Sequence, residues 1–579
     1  MKLACLSLLT VLLGTTAPYA QNSAVAGMPS PSSVAGHPAR AVIAGLVTKD
    51  AGSEPVKKAL IELIAESQTE GGNYTALTGV DGSFHIENIV PGRYRLFVER
   101  AGYQEIDKRH RRTEGRVLTL TAGQELKDLV IRLQAAAVVE GRVTDEDGDP
   151  LPEAQVAVLR QTFVAGRSRR EQVGAERTND LGEYRIAGLA AGSYFVSVTP
   201  PPDFRSLIEA APAAAPRNGT AASDKPASAS YQTTYYPGTR DRGQAAAIQL
   251  HAGDDFPVNF SLTPSPSLII RGSVVNLPPG STAAIMLQSK DFSLVLNGAE
   301  MHKDGSFEIR DVSPGAYTIL ATVDNVAAPM MARQALQITS ANVEGLRLAP
   351  QTGGSIRGRL RMEASGGARP DPSQMFLMLR SSDGDGDDDV LGAFNIEAGF
   401  STLAHVNVDG SFEWKNVPAG HYSVQISDAS AMPDWFVKSL AAGGRDVTDS
   451  GFAVGGGATA LDLVASANGA VAEGVATNQK DEPLPDAVVV AVPEARLRTH
   501  PERYRKALTD QSGRFTLRGL PPGDYTLFAW ENVDGEAYYN PEFLKGYEGQ
   551  GRALHLVEGE RKSVQLRAVP AAEEQAPAD

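Results

Sequence analysis

The sequence predicts an all-β protein of five tandem Greek-key β-sandwiches. A glycine and aromatic motif is written five times at domain-sized spacing. Around each copy, apolar and polar residues alternate with the period of two that marks a half-buried strand. The chain is also rich in turn formers, with 57 Gly and 36 Pro among 579 residues, and no long amphipathic helix pattern is evident.

The motif is Gly-x-aromatic-x-apolar, followed ten residues after its first glycine by Gly-x-Tyr. Its copies run Gly82-Ser83-Phe84 to Tyr94, Gly182-Glu183-Tyr184 to Tyr194, Gly305-Ser306-Phe307 to Tyr317, Gly410-Ser411-Phe412 to Tyr422, and Gly513-Arg514-Phe515 to Tyr525. Successive first glycines lie 100, 123, 105 and 103 residues apart, so each repeat is a domain with its own core. Asp81-Gly82, Asp304-Gly305 and Asp409-Gly410 are turn dipeptides in which glycine supplies a positive φ. Pro91-Gly92, Pro314-Gly315 and Pro522-Gly523 turn the chain again, and the tyrosine that follows is expected to bury its ring while its hydroxyl ties down the corner.

Each repeat opens on a glycine-bearing strand, at Gly45, Gly141, Gly272, Gly358 and Gly474, and closes on a short alternating run such as Leu129 to Leu133. About seven strands per roughly 100 residues is the spacing of a Greek-key sandwich. The predicted spans are a signal peptide at 1–20, a linker at 21–41, and sandwiches at 42–135, 136–264, 265–350, 351–466 and 467–568. A flexible insertion is expected near 210–230 in the second sandwich, and a disordered tail at 569–579.

Lys2, the apolar run Leu3 to Leu13 and the small residues after it read as a secretory signal, with cleavage after Ala20 or Ala26. Removal takes away Cys5, the single cysteine, so folding is expected without disulfides or thiolate metal sites. No later segment has the continuous apolar length of a membrane-spanning helix. The expected location is secreted, periplasmic or cell envelope. A net charge of -15 argues against a nucleic-acid partner, since phosphate binding needs a basic surface.

With those residues in hand, the repeats resemble carboxypeptidase regulatory-like domains, relatives of transthyretin-like (prealbumin-like), collagen-adhesin B-type and starch-binding-like sandwiches of immunoglobulin-like build. The resemblance rests on Gly-x-Val at Gly141-Arg142-Val143, on Pro150-Leu151-Pro152-Glu153-Ala154 and Pro483-Leu484-Pro485-Asp486-Ala487, on Asp81-Gly82-Ser83-Phe84 and on Pro91-Gly92-Arg93-Tyr94. It implies a bacterial exported protein with an accessory role. It does not imply peptidase activity, because in that family the zinc centre belongs to a separate domain. No repeated Lys, Asn and Glu set occurs across the five copies, so an intramolecular isopeptide bond is not expected.

The chemistry-bearing motifs are few. The one His-x-x-Glu, His555 to Glu558, has no later histidine to complete a zinc site and reads as a strand histidine and a turn glutamate. Asp383, Asp385 and Asp387 in a run of acidic residues could hold Ca²⁺ or form a solvated loop. The basic clusters Lys108 to Arg112 and Arg167 to Arg170 read as loop tips. Tyr235, Tyr236, Tyr538 and Tyr539 occupy matching places in the second and fifth repeats; with Trp530, Tyr547 and Trp435 they either stack on sugar rings or pin a crossover loop to the sandwich. No catalytic residue, cofactor or metal is expected. The sequence therefore predicts a non-catalytic binding or scaffold protein whose partner is a polysaccharide or an envelope protein, with a cell-surface adhesion or stalk element as a further reading.

Overall fold

Alternation becomes burial in the strands that carry the motif. Along Ser83–Ile89, Phe84 and Ile86 are buried while His85 and Glu87 face solvent, and Glu183–Leu189, Ser411–Val417 and Arg514–Leu520 repeat the pattern. The computed structural model describes residues 39–49, 54–67, 71–105, 115–164, 166–200, 229–266, 268–289, 297–302, 304–312, 314–324, 329–339, 341–364, 371–381, 401–427 and 432–571. The expected signal peptide, the Lys108 to Arg112 cluster, the acidic residues Asp383, Asp385 and Asp387, and most of the 210–230 insertion lie outside these residues.

The described strands form tandem β-sandwiches. Separate apolar cores draw on residues from Ala41 to Leu133, Ala137 to Leu262, Ile270 to Leu348, Ile356 to Ala465 and Ala470 to Ala568. In every sandwich the opening strand pairs antiparallel with the motif strand and parallel with the closing strand. In the first, Ala41–Lys49 lies between Ser83–Ile89 and Glu125–Ala135; in the fifth, Ala470–Thr477 lies between Arg514–Leu520 and Arg561–Arg567. The sequence did not reveal that parallel pairing.

Register explains why two separate motifs recur together. Gly45 stands opposite Phe84, Gly141 opposite Tyr184, Gly272 opposite Phe307, Gly358 opposite Phe412 and Gly474 opposite Phe515. In the first, third and fourth sandwiches the aromatic ring lies over the glycine: a Cβ on Gly358 would come 2.3 Å from Phe412 Cζ, and one on Gly272 would come 2.6 Å from Phe307 Cζ. In all five a closing-strand carbonyl presses on the same spot, 2.2 Å from a Cβ on Gly45 and 1.9 Å from one on Gly141. The glycine is thus a close-approach position.

The turns follow the expected chemistry. Gly82, Gly182, Gly305, Gly410 and Gly513 hold φ of 75°, 74°, 84°, 81° and 71°. Asp409 Oδ1 accepts from the Ser411 backbone N–H (3.0 Å) and hydroxyl (2.7 Å), as Asp81 does from Ser83 and Asp304 from Ser306. The Ser411 hydroxyl first, then its N–H, holds the Asp409 carboxyl below its ordinary 3.8. A depressed carboxyl stabilises the fold above its unfolded pKa and loses that contribution as pH falls through the folded value. Asp409→Asn is therefore expected to flatten the slope of thermal stability against pH between about pH 5 and pH 2; an unchanged slope would count against the turn's role.

The corner tyrosines behave as the sequence predicts. The hydroxyls of Tyr94, Tyr194, Tyr422 and Tyr525 each donate to the carbonyl four residues back, on Val90, Ala190, Pro418 and Pro521, at 2.6 to 2.9 Å. Burial pushes the Tyr525 hydroxyl up to about 12. Tyr525→Phe strands a buried carbonyl and is expected to cost about 1 to 2 kcal/mol, read as a lower denaturant midpoint at unchanged slope.

A second clamp had no sequence signature until the structure placed it. Thr78, Thr178 and Thr509, each four residues before the turn glycine, are buried. Each hydroxyl accepts from the N–H of Ala59, Ala154 or Ala487 and donates to the carbonyl of Val56, Leu151 or Leu484, at 2.6 to 2.9 Å. The third and fourth sandwiches carry Met301 and Val406 at this place.

Neighbouring sandwiches meet at a recurring joint. The residue six after the turn glycine has positive φ in four copies: Asn88 (60°), Gly188 (80°), Asn416 (56°) and Gly519 (67°). Three of these touch the preceding sandwich or its linker. Gln104 Nε2 donates to the Gly188 carbonyl at 2.8 Å, a Cβ on Gly353 would meet the Asn416 backbone at 2.3 Å, and one on Gly519 would meet the Pro433 carbonyl at 2.4 Å.

Candidate functional site at the seams of the fifth sandwich

The strand Val488–Pro493 is buried at every residue. Val489 and Ala491 enter the fifth sandwich's own core, whereas Val488, Val490 and Val492 point the other way into a further apolar cluster. A strand buried on both faces reads as an unbroken apolar run, and Ala487 to Val492 is such a run. That was the signal in the sequence that the fifth sandwich is covered on its outer side.

Its cover begins with the crossover segment after Trp530. Val533, Ala537, Tyr538 and Leu544 are buried there, and the short helix Pro541–Lys545 starts at Asn540, whose side chain accepts from the Glu542 and Phe543 N–H groups. Trp530 stacks on Phe528 with centroids 5.1 Å apart and meets Tyr547 edge-on at 6.0 Å. Tyr539 lies 4.6 Å from Tyr504 and 4.8 Å from Tyr538.

Other sandwiches complete the cover. Phe163 of the second packs at 6.3 Å from Phe543, its carbonyl accepts the Glu536 N–H at 2.9 Å, and Val117 of the first is wholly buried in the same cluster. The Gln511 side-chain amide caps the edge of strand Arg116–Leu120, accepting from the Thr119 N–H at 3.0 Å and donating to its carbonyl at 2.8 Å. Arg116 stands between Glu105 and Asp486, 3.1 Å from each, with the three side chains only 13%, 8% and 15% exposed. Cores that the sequence assigned wholly to separate repeats are thus joined by one shared between the first, second and fifth.

This packing decides where the predicted aromatic residues stand. Trp530, Tyr538, Tyr539 and Tyr547 come together in the shared cluster. Tyr235 and Tyr236 lie apart from them on the second sandwich, Tyr235 against Ala157 and Leu159 and Tyr236 against that sandwich's core. Trp435 is in the core of the fourth. Trp530, Tyr538 and Tyr235 are 1%, 2% and 4% exposed and present no open face for a sugar, Tyr236, Tyr539 and Tyr547 are half-buried, and burial pushes the Tyr539 hydroxyl up to about 12. Trp530 and Tyr538 thereby pin the crossover segment to the sandwich.

A polar seam joins the fourth and fifth sandwiches around a cavity of about 260 Å³. Lys438 bridges Glu363 (2.8 Å) and Glu558 (2.9 Å), Arg503 pairs with Asp449, and Arg518 Nε lies 2.8 Å from Asp434 Oδ1. Within the predicted His-x-x-Glu pair, exposed His555 meets Asp524 at 2.7 Å, whereas Glu558 turns to Lys438 and the Ser466 hydroxyl, which hold its carboxyl below the ordinary value. The two side chains serve different partners. Among the described residues no three His, Cys, Asp or Glu side chains converge as metal ligands, and no helix is long and apolar enough to cross a membrane.

The family model of the carboxypeptidase regulatory-like domain matches residues 42–134 and 138–202. No curated protein matches the sequence. Among solved structures, the chain is similar to the Bacillus anthracis TIE protein at 14% identity, covering 54% of this chain and 50% of that one, with a TM-score of 0.16. It is similar to the shaft pilin SpaA from Lactobacillus rhamnosus GG at 12% identity, covering 39% of this chain and 98% of that one, with a TM-score of 0.18. For GBS52, the minor pilin of Streptococcus agalactiae, the figures are 15%, 39%, 97% and 0.20. The family model thus covers the first sandwich and the opening half of the second, which are similar to carboxypeptidase regulatory-like domains.

Proposed function

We propose that the protein is an exported, non-catalytic scaffold that holds the surfaces of several sandwiches at fixed mutual positions for an envelope partner. The shared core of the first, second and fifth sandwiches carries this reading. Thr119 and Gln511 lie 392 residues apart in sequence and meet through two hydrogen bonds. Freely jointed domains gain avidity only through effective concentration, whereas a braced body has its orientations set before binding.

Scattering from the chain lacking residues 1–20 tests the bracing. The expected radius of gyration is nearer the ~24 Å of a compact chain of this length than the roughly doubled value of a linear string. Cell fractionation with and without residues 1–20 tests export; cytoplasmic retention of the full chain would refute it.

A further inference from the structure

We infer that the joint between the third and fourth sandwiches binds an anionic amphiphile, a carboxylate or phosphate group on an apolar stem. A cavity of about 310 Å³ opens there, at the lower end of the range for ligand sites. One wall is the start of strand Met330–Ile338, another the end of Val343–Leu348, and the remainder comes from Gln351 to Gly353 and the Asn416 to Ala419 turn.

The lining is chemically one-sided. Met330, Met331 and Leu348 supply apolar surface, and methionine adapts to varied apolar shapes. Among the described residues, Arg333 and Arg347 are the ionisable groups of the lining, and no carboxylate stands with them. That is unusual in a chain with 69 acidic and 54 basic residues. The contrast with the cavity between the fourth and fifth sandwiches is direct, because there Lys438, Arg496 and Arg503 stand among four acidic side chains. Elsewhere arginines such as Arg271 and Arg357 face a carboxylate within 3 Å, whereas Arg347 has no such partner among the described residues. A guanidinium presents a planar fork that matches carboxylate or phosphate oxygens.

The walls are fixed to each other. Met330 pairs with Thr352 and Met331 with Gln351, so the linker continues the sheet of the third sandwich. Gly353 then lies so close to the positive-φ Asn416 that no side chain would fit between. The cavity is therefore a built joint between an apolar floor and a cationic rim.

Calorimetry on the chain lacking residues 1–20 tests this with decanoate, decyl phosphate and decyltrimethylammonium. One or both anions are expected to bind and the cation is not; which anion binds more tightly distinguishes a carboxylate from a phosphate headgroup. Arg347→Gln is expected to weaken anion binding at least tenfold, while Arg357→Gln, which disrupts an exposed ion pair with Glu413 outside the cavity, leaves it unchanged. As a readout on the unmutated chain, methyl NMR is expected to show the bound anion shifting the Met330 and Met331 signals. Equal binding of the cation, undiminished binding by a folded Arg347→Gln, no anion binding up to millimolar concentration, or unshifted methionine signals at saturation would each overturn the proposal.

Discussion

Gly474→Val is expected to unfold the fifth sandwich. A Cβ at this position would stand 1.7 Å from the Val564 carbonyl oxygen and 2.8 Å from its carbon, and both belong to backbone in a paired strand that has no rotamer to yield. Overpacking a core commonly costs about 1 to 3 kcal/mol when side chains give way. Here the closing strand must leave the opening strand, so a loss above about 3 kcal/mol is expected, within the class of exceptional single substitutions. Gly455→Ala is the control, since nothing stands within 4 Å of its added carbon. Chemical denaturation of both variants decides the matter: a Gly474→Val midpoint within error of the control would mean that the parallel pair tolerates separation and that the glycine has no steric role.

Trp530→Ala is expected to loosen the shared core and release the fifth sandwich from the first and second. The indole is almost wholly buried among Phe528, Phe543 and Tyr547, and large aromatic truncations in cores cost about 3 to 5 kcal/mol. Among the described residues its Nε1 has no hydrogen-bond partner, so the contribution comes from shape and apolar area. Trp530→Phe keeps most of both and is expected to cost less than about 1.5 kcal/mol. The alanine variant should scatter with a larger radius and expose the Arg116–Leu120 edge to protease, because Gln511 is carried away with the fifth sandwich. If the alanine variant keeps the parent's radius and protease pattern, the shared core does not brace the molecule.

The motif strands, turns and corner tyrosines were legible because each depends on residues within about a dozen positions. Asp409, Gly410 and Ser411 make their turn locally, and Tyr525 reaches only four residues back. The glycine strands were legible as a repeat but not as a mechanism, since the partner ring lies 35 to 54 residues away and its placement depends on register. The aromatic loops were legible as important and ambiguous in purpose. Tyrosine and tryptophan suit a sugar platform and a buried pin equally well, and only exposure separates the two.

By itself, then, the sequence determined the class of fold, the number of repeats and the chemistry of their turns, because alternation and turn geometry are short-range consequences of backbone stereochemistry. Tertiary structure alone decided that the fifth sandwich packs on the first and second, that Val117 and Phe163 share its core, and that a cavity whose described lining carries cationic charge alone lies at the third joint. Those outcomes depend on contacts such as Thr119 with Gln511 between residues hundreds of positions apart, whose pairing no local pattern encodes.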